Sequence, residues 1–143
     1  VSLRRTVVLN LGGEGEPLDG DLIVNVNLMY PPLLMRPSFP RRLAFGQVVV
    51  AASAGVLPVR NSAVDAVVAH HFPIQFGRLV DGPTIGELAA EVARVLRDGG
   101  TADLQCSSCD VRQLASAFTG TGLALLEPAR PGYPLRLRKA EAS

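Results

Sequence analysis

Short apolar runs, each bounded by glycine, proline or charge, recur along the chain, and one longer segment carries a helical period. Thr6–Leu11 is rich in β-branched residues, follows Arg4-Arg5 and runs into glycines, so it reads as a buried strand. Leu22–Leu28 (LIVNVNL), Gln47–Ala52, Ala63–Ala69 and Thr101–Cys106 read as further strands. Leu123–Leu126 and Leu135–Arg138 read as two final ones, joined through Pro128–Pro134. Thr84–Leu96 is the clearest helix. Ile85, Leu88, Ala89, Val92, Val95 and Leu96 share one face, with Glu87, Glu91, Arg94 and Arg97 opposite or at its edge. Thr84 and Glu87 have capping-box spacing, and Gly99-Gly100 predicts the stop. Asp110 is placed to cap a shorter helix, Val111–Phe118, which Gly120-Thr121-Gly122 breaks. Pro31, Pro32, Pro37 and Pro40 impose an extended stretch between the second and third strands.

Strands separated by helical segments predict an α/β chain built as a three-layer sheet. The first two strands are only about ten residues apart, and Pro17 and Gly20 lie between them. A crossover between parallel neighbours usually takes a dozen or more residues and a helix. The first helix is therefore expected to be missing or shortened.

Composition narrows the class. A chain of 143 residues fits one domain, and a hydrophobic fraction of 48% supplies a real core. The net charge of +1 gives no nucleic-acid footprint. No apolar run approaches the roughly 20 residues that cross a bilayer, so no membrane partner is expected. Lys139 is the only lysine, and the remaining basic side chains are arginine, as codon bias in a GC-rich genome produces. Cys106 and Cys109 are the only cysteines and sit two residues apart, which speaks against a disulfide framework and for a reducing, cytoplasmic setting. The chain begins without methionine, as a processed chain or a domain excised from a larger protein would.

The stretch Leu57–Leu104 carries a resemblance. A polar turn at Arg60-Asn61-Ser62 leads into the strand Ala63–Ala69. The amphipathic helix then ends in Arg97-Asp98-Gly99-Gly100, directly before another strand. This ordered set resembles the second half of class I S-adenosylmethionine-dependent methyltransferases, where an "LPF…NSFDVVV" segment runs through a helix ending "ARVLRPGG". The resemblance implies a Rossmann-like methyltransferase sheet of order 3-2-1-4-5-7-6 with the seventh strand antiparallel. It also implies S-adenosylmethionine as cofactor. Its glycine turn falls at Asn10-Leu11-Gly12-Gly13-Glu14-Gly15, directly after the first strand. Glycines there relax the backbone so that a ligand can approach.

By that resemblance the cofactor-binding candidates are Asn10, Gly12, Gly13, Gly15, Asn27 and Ser53. Asn10 stands where the family usually has an acid. Asn27 stands where an acid holds the ribose hydroxyls, and Ser53 is nearest to the acid beside the adenine. An amide accepts hydrogen bonds without charge assistance. Glu14 and Glu16 add carboxylates where the cofactor's own carboxylate would lie.

Sites in open α/β sheets lie at the carboxyl ends of the strands. The fourth strand ends at His70-His71-Phe72-Pro73, so His70 and His71 are the catalytic candidates, as general bases near neutral pH. Cys106 and Cys109 lie at the end of the neighbouring strand, and with His70 and His71 they would make a Cys2His2 zinc set. Adjacent histidines point to opposite faces of a strand, which argues against that set, and free thiols are the plainer reading. Asp65 reads as a structural part of its turn, and Arg136, Arg138 and Lys139 as a solvated strand face and tail.

Three functional readings follow. One is a methyltransferase with a reduced cofactor lobe, acting on a small-molecule or protein acceptor that the sequence does not specify. Another is a catalytically silent methyltransferase-like module for binding or assembly, self-associating through the Pro31–Pro40 segment with its Leu33, Leu34, Met35 and Phe39. The last is a C-terminal domain of a bacterial toxin or effector.

Overall fold

The strands and helices form where the apolar runs place them. The structure, a computed structural model, describes residues 4–13, 17–27, 45–72, 74–75, 78–79, 84–106 and 111–141; residues 27, 71, 72, 74, 75, 78, 79 and 106 are described by backbone alone. In chain order the elements are β1 (Val7–Leu11), β2 (Leu22–Asn27), β3 (Gln47–Ala51), β4 (Val64–Phe72), β5 (Ile74–Gln75), β6 (Arg78–Leu79), α1 (Ile85–Val95), β7 (Leu96–Cys106), α2 (Val111–Ala117), β8 (Leu123–Leu125) and β9 (Leu135–Lys139). The sequence pattern did not predict the short antiparallel β5–β6 pair. The other seven strands form one sheet of order β3-β2-β1-β4-β7-β9-β8. β1, β2, β3, β4 and β7 run parallel, and β9 is antiparallel to both its neighbours. Counted within this sheet, the order is the expected 3-2-1-4-5-7-6. The Pro31–Pro40 segment lies outside the described residues.

One face of the sheet carries the core. Leu9, Leu11, Val26, Val67, Ala69, Ala102, Leu104, Leu135 and Leu137 pack with Leu88, Ala89 and Val92 of α1, Val111 and Leu114 of α2, and Phe118 beyond it. Alternation sends Val8, Asn10, Ile23, Asn25, Ala66, Val68, His70, Thr101, Asp103, Arg136 and Arg138 to the other face. Exposure on that face rises across the sheet, from Ile23 and Asn25 at 2% and 0% to half-buried Val68 and His70 and exposed Arg136. No helix lies between β1 and β2 among the described residues. Instead the backbone at Gly20 rests on the strands: a Cβ there would sit 2.8 Å from Val8 Cγ2 and 3.1 Å from Ile23 Cδ1. The backbone at Gly20 thus lies directly against Val8 and Ile23 on this face.

Helix α1 is tied at both ends. Thr84 Oγ1 accepts from the Glu87 N–H at 3.1 Å, and the Glu87 carboxylate accepts from the Thr84 N–H at 3.3 Å, completing the capping box. At the other end the helix stops at Val95, four residues before Gly99, and Leu96 is already extended. Gly99-Gly100 therefore does not stop the helix, which corrects the expectation. The pair makes a bulge in β7, where the register slips from Val64↔Leu96 to Ala66↔Thr101. Gly99 takes a φ of 78°, and a Cβ on Gly100 would meet the Arg97 and Asp65 carbonyl oxygens at 2.9 and 3.0 Å.

A helix leaves its last carbonyls without intrahelical donors. Here each finds one. The Ser62 and Ala63 N–H groups donate to the Arg94 and Val95 carbonyls at 2.9 Å each, and Lys139 Nζ donates to those of Ala93 and Leu96 at 2.7 Å each. Ser62 adopts a φ of 55°, a left-handed conformation that a short polar turn residue tolerates. Lys139 is therefore a helix cap reaching over from β9, not part of a solvated tail. Glu91 and Arg94, expected on the outer side of α1, are also partly buried. Arg94 holds the Glu91 carboxylate through two hydrogen bonds at 2.6 and 2.8 Å and donates to the Leu57 and Val59 carbonyls at 3.0 and 2.7 Å. The Leu57 N–H donates to Glu91 at 2.7 Å. The Arg94 hydrogen bonds hold the Glu91 carboxyl below its ordinary range against the opposing effect of burial, with the Leu57 N–H adding to them.

Asp65 fastens the same end of the sheet. Its carboxylate accepts from the Val7 N–H at 2.8 Å and pairs with both Arg4 and Arg97. Burial pushes this carboxyl upward, but the Val7 N–H and the two guanidiniums outweigh it, and the group is held below its ordinary value. The structural role expected for Asp65 is what its contacts show.

Two outcomes follow. A lowered folded pKa gives stability that is full above the unfolded value of about 3.9 and lost as pH falls through the folded one. Asp65→Asn is expected to cost about 2–3 kcal/mol near neutrality, with the gap to the parent narrowing in acid. Urea unfolding at neutral pH and below the carboxylate range checks this, and a gap independent of pH would remove the charge as its cause. Lys139→Met keeps the aliphatic stem but leaves two helix carbonyls without their donor, at an expected cost of about 1–2 kcal/mol. An unchanged urea midpoint would show that those carbonyls need no lysine.

Candidate functional site

The sheet order reverses between β1 and β4. β2 and β3 lie to one side of β1, and β4, β7, β9 and β8 lie to the other. In open α/β sheets the crevice at such a switch point, outside the carboxyl ends of the strands, is where ligands bind. β1, β2, β3, β4 and β7 are parallel, so their carboxyl ends share one rim. That rim gathers the Gly12–Gly13 turn after β1, the Asn27 backbone at the end of β2, Ser53 just past β3, His70 and the His71 backbone near the end of β4, and the Cys106 backbone closing β7. Gly15, Glu14, Glu16 and Cys109 lie outside the described residues.

The turn after β1 is built from beneath. Gly12 has a φ of 70° and donates its N–H to the Val26 carbonyl at 2.8 Å, which holds the start of the turn to β2. The Gly13 N–H donates to the Asn10 carbonyl at 3.1 Å. A Cβ on Gly13 would fall 2.4 Å from Asn10 Nδ2 and 2.6 Å from Asn25 Oδ1, so only glycine fits there. Below it lies a row of buried amides. Asn10 donates from Nδ2 to Asn25 Oδ1 at 2.9 Å, and Asn25 donates from Nδ2 to Gln47 Oε1 at 3.0 Å and to the Val48 carbonyl at 3.1 Å. Asn10 and Asn25 are 2% and 0% exposed. Asn10 thus acts from under the turn, joining β1 to β2. Neutral amides suit this position because each supplies a donor and an acceptor, and no charge is desolvated.

The remaining candidates sit around this turn. Ser53 Oγ accepts from the Gly55 N–H at 3.1 Å, and the Ser53 carbonyl accepts from the Val56 N–H at 3.1 Å, so Ser53 shapes the turn that follows β3. β1 and β4 pair as Asn10↔Val68, which carries His70 two residues beyond, level with Gly12 and on the face of Asn10. Its imidazole is one-third exposed. Phe72 pairs with Cys106, so the ends of β4 and β7 are adjacent. Among the described residues no cluster of metal-binding side chains is found.

Asn25, Gln47 and Asp103 escaped the sequence reading. Asn25 and Asp103 are polar interruptions of apolar strands, a visible signal, but their partners lie on other strands and are fixed by register.

No protein-family model matches the chain, and no curated protein matches it. Its fold does match solved structures. The [4+2]-cyclase SpnF aligns with a TM-score of 0.70 at 14% identity, over 96% of this chain and 75% of that one. A TehB-like SAM-dependent methyltransferase from Corynebacterium glutamicum aligns at 0.64 and 18% identity, over 98% and 83%. The geranyl diphosphate C-methyltransferase from Streptomyces coelicolor A3(2), in complex with Mg2+, geranyl diphosphate and S-adenosyl-L-homocysteine, aligns at 0.60 and 14% identity, over 85% and 55%. By the order and direction of its strands, this chain has a methyltransferase-like fold, with the Rossmann-like sheet of order 3-2-1-4-5-7-6.

Proposed function

We propose that the chain is an S-adenosylmethionine-dependent methyltransferase-like protein that binds its cofactor at the carboxyl rim of β1, β2 and β4. The observation that carries this reading is the Gly12–Gly13 turn at the switch point, with a left-handed Gly12 and a Gly13 seated where no side chain fits. A turn without side chains at these two positions admits a ligand close to its backbone. Gly12, Gly13 and Gly15 would hold the amino-acid part of the cofactor, and Asn27 and Ser53 its nucleoside part. Bound there, the cofactor supplies an electrophilic methyl group. His70, across the switch point from the turn, would take a proton from an acceptor, a reading supported by its position level with Gly12. The main contribution of the chain is positioning.

A second reading, a silent module that keeps the sheet for binding or assembly, is favoured by the amide row. Asn10 and Asn25 are neutral, buried and hydrogen bonded to each other where the resemblance expects an acid at Asn10. The cyclase among the structural neighbours supports the general point that this fold hosts more than one chemistry.

Isothermal titration with S-adenosylhomocysteine, alongside a thermal-shift assay, separates the two. Binding with a rise in melting temperature is expected for the cofactor reading. Gly13→Val is expected to abolish it, while His70→Gln leaves it within about threefold, a change of under 1 kcal/mol. No heat and no shift with the parent protein would favour the silent module.

A further inference from the structure

Asp103 lies on β7, on the face of the sheet opposite α1 and α2, one diagonal step from His70: Val68 pairs with Asp103, and His70 is two residues further along β4 on the same side. Asp103 Oδ1 is 4.0 Å from His70 Nε2. That oxygen is shielded from solvent and has no hydrogen-bond partner among the described residues. Its companion Oδ2 lies 3.7 Å from Arg136 Nε, and Arg136 Nη1 reaches Glu127 Oε1 at 3.3 Å. The carboxylate is thus balanced on one side by a guanidinium and open on the other toward the imidazole. A shielded carboxylate oxygen without a protein partner is costly and calls for a donor. His70 Nε2 is the nitrogen beside it at 4.0 Å, about 0.8 Å beyond hydrogen-bond range.

The geometry points to Asp103 as the positioning residue for His70. Its Oδ1 accepts the Nε2–H, which fixes the ring with its proton on Nε2 and its lone pair on Nδ1. The Nδ1 lone pair then takes the proton from the O–H, N–H or S–H of an acceptor. The acceptor heteroatom keeps the bonding electron pair, and the imidazolium that forms is balanced by the Asp103 carboxylate. This inference rests on the proposed placement of the acceptor beside His70. The hydrogen bond itself is independent of that placement and is testable without cofactor or acceptor.

The test uses the full chain labelled with 15N-histidine in a His71→Gln background, leaving one ring to observe. Long-range 1H–15N spectra of the neutral ring are expected to show two well-separated nitrogen resonances, those of a single Nε2–H tautomer. Asp103→Leu, similar in size but without an acceptor, is expected to lose that separation as the tautomers average. Asp103→Asn, which keeps an oxygen, is expected to retain part of it. Backbone amide spectra verify that each variant is folded. Ring resonances identical in the parent and the Leu variant would overturn the role of Asp103. Titration of the Leu variant with S-adenosylhomocysteine is expected to match the parent. Loss of cofactor binding in the parent would count against the functional reading and leave the Asp103–His70 result standing.

Discussion

The placing of β4 beside β1 depends on how the C-terminal end of α1 is satisfied. Four carbonyls that the helix cannot pair internally are taken by two N–H groups of the turn before β4 and by the lysine of β9. The same helix grips the 57–61 segment through Glu91 and Arg94. The polar turn at Asn61-Ser62 is therefore a docking element, and the strand that follows leaves it in a fixed direction. Asp65, at the base of that strand, holds Val7, Arg4 and Arg97 together, so β1, β4 and β7 are pinned at their amino ends. What the rim presents, at the far end of those strands, inherits its geometry from these contacts.

The two faces of the sheet solve different problems. One is dry and carries the helices, and its side chains are almost all aliphatic. The other is buried over β1 and β2 and increasingly wet toward β9. Where it is buried it admits polarity only as an amide row with its hydrogen bonds made, because an unpaired charge there would be expensive. Where it opens, polar and charged side chains run in a chain from His70 through Asp103 and Arg136 to Glu127. The switch point between β1 and β4 falls where the first regime gives way to the second. The Gly12–Gly13 turn and a titratable side chain, His70, therefore stand at the same level on either side of the switch point.

Much of this was legible in the sequence. The seven main strands and both helices fall close to where hydrophobic periodicity put them, because burial of alternate or helically spaced apolar residues is a local property of the chain. The glycine turn was also visible, since positive φ and close approach leave few other residue choices. The shortened first connection could be counted directly. The capping box was readable because both its partners lie within one turn of helix.

The errors share a cause. Gly99-Gly100 looked like a helix stop and is a strand bulge; Lys139 looked like a solvated tail and is a helix cap; Glu91 and Arg94 looked like an outer helix face and form a clamp. In each case the deciding partner is on a distant segment, so its identity depends on register and packing that no local pattern encodes. Backbone sterics and apolar spacing act locally, so the main-sheet strands, the two helices and the glycine turn could be read from the chain. Which polar side chains meet could not: Asn10 with Asn25, Asp65 with Arg97, His70 beside Asp103. Such partners are chosen by strand order and register, and those are set by the burial of the whole sheet at once.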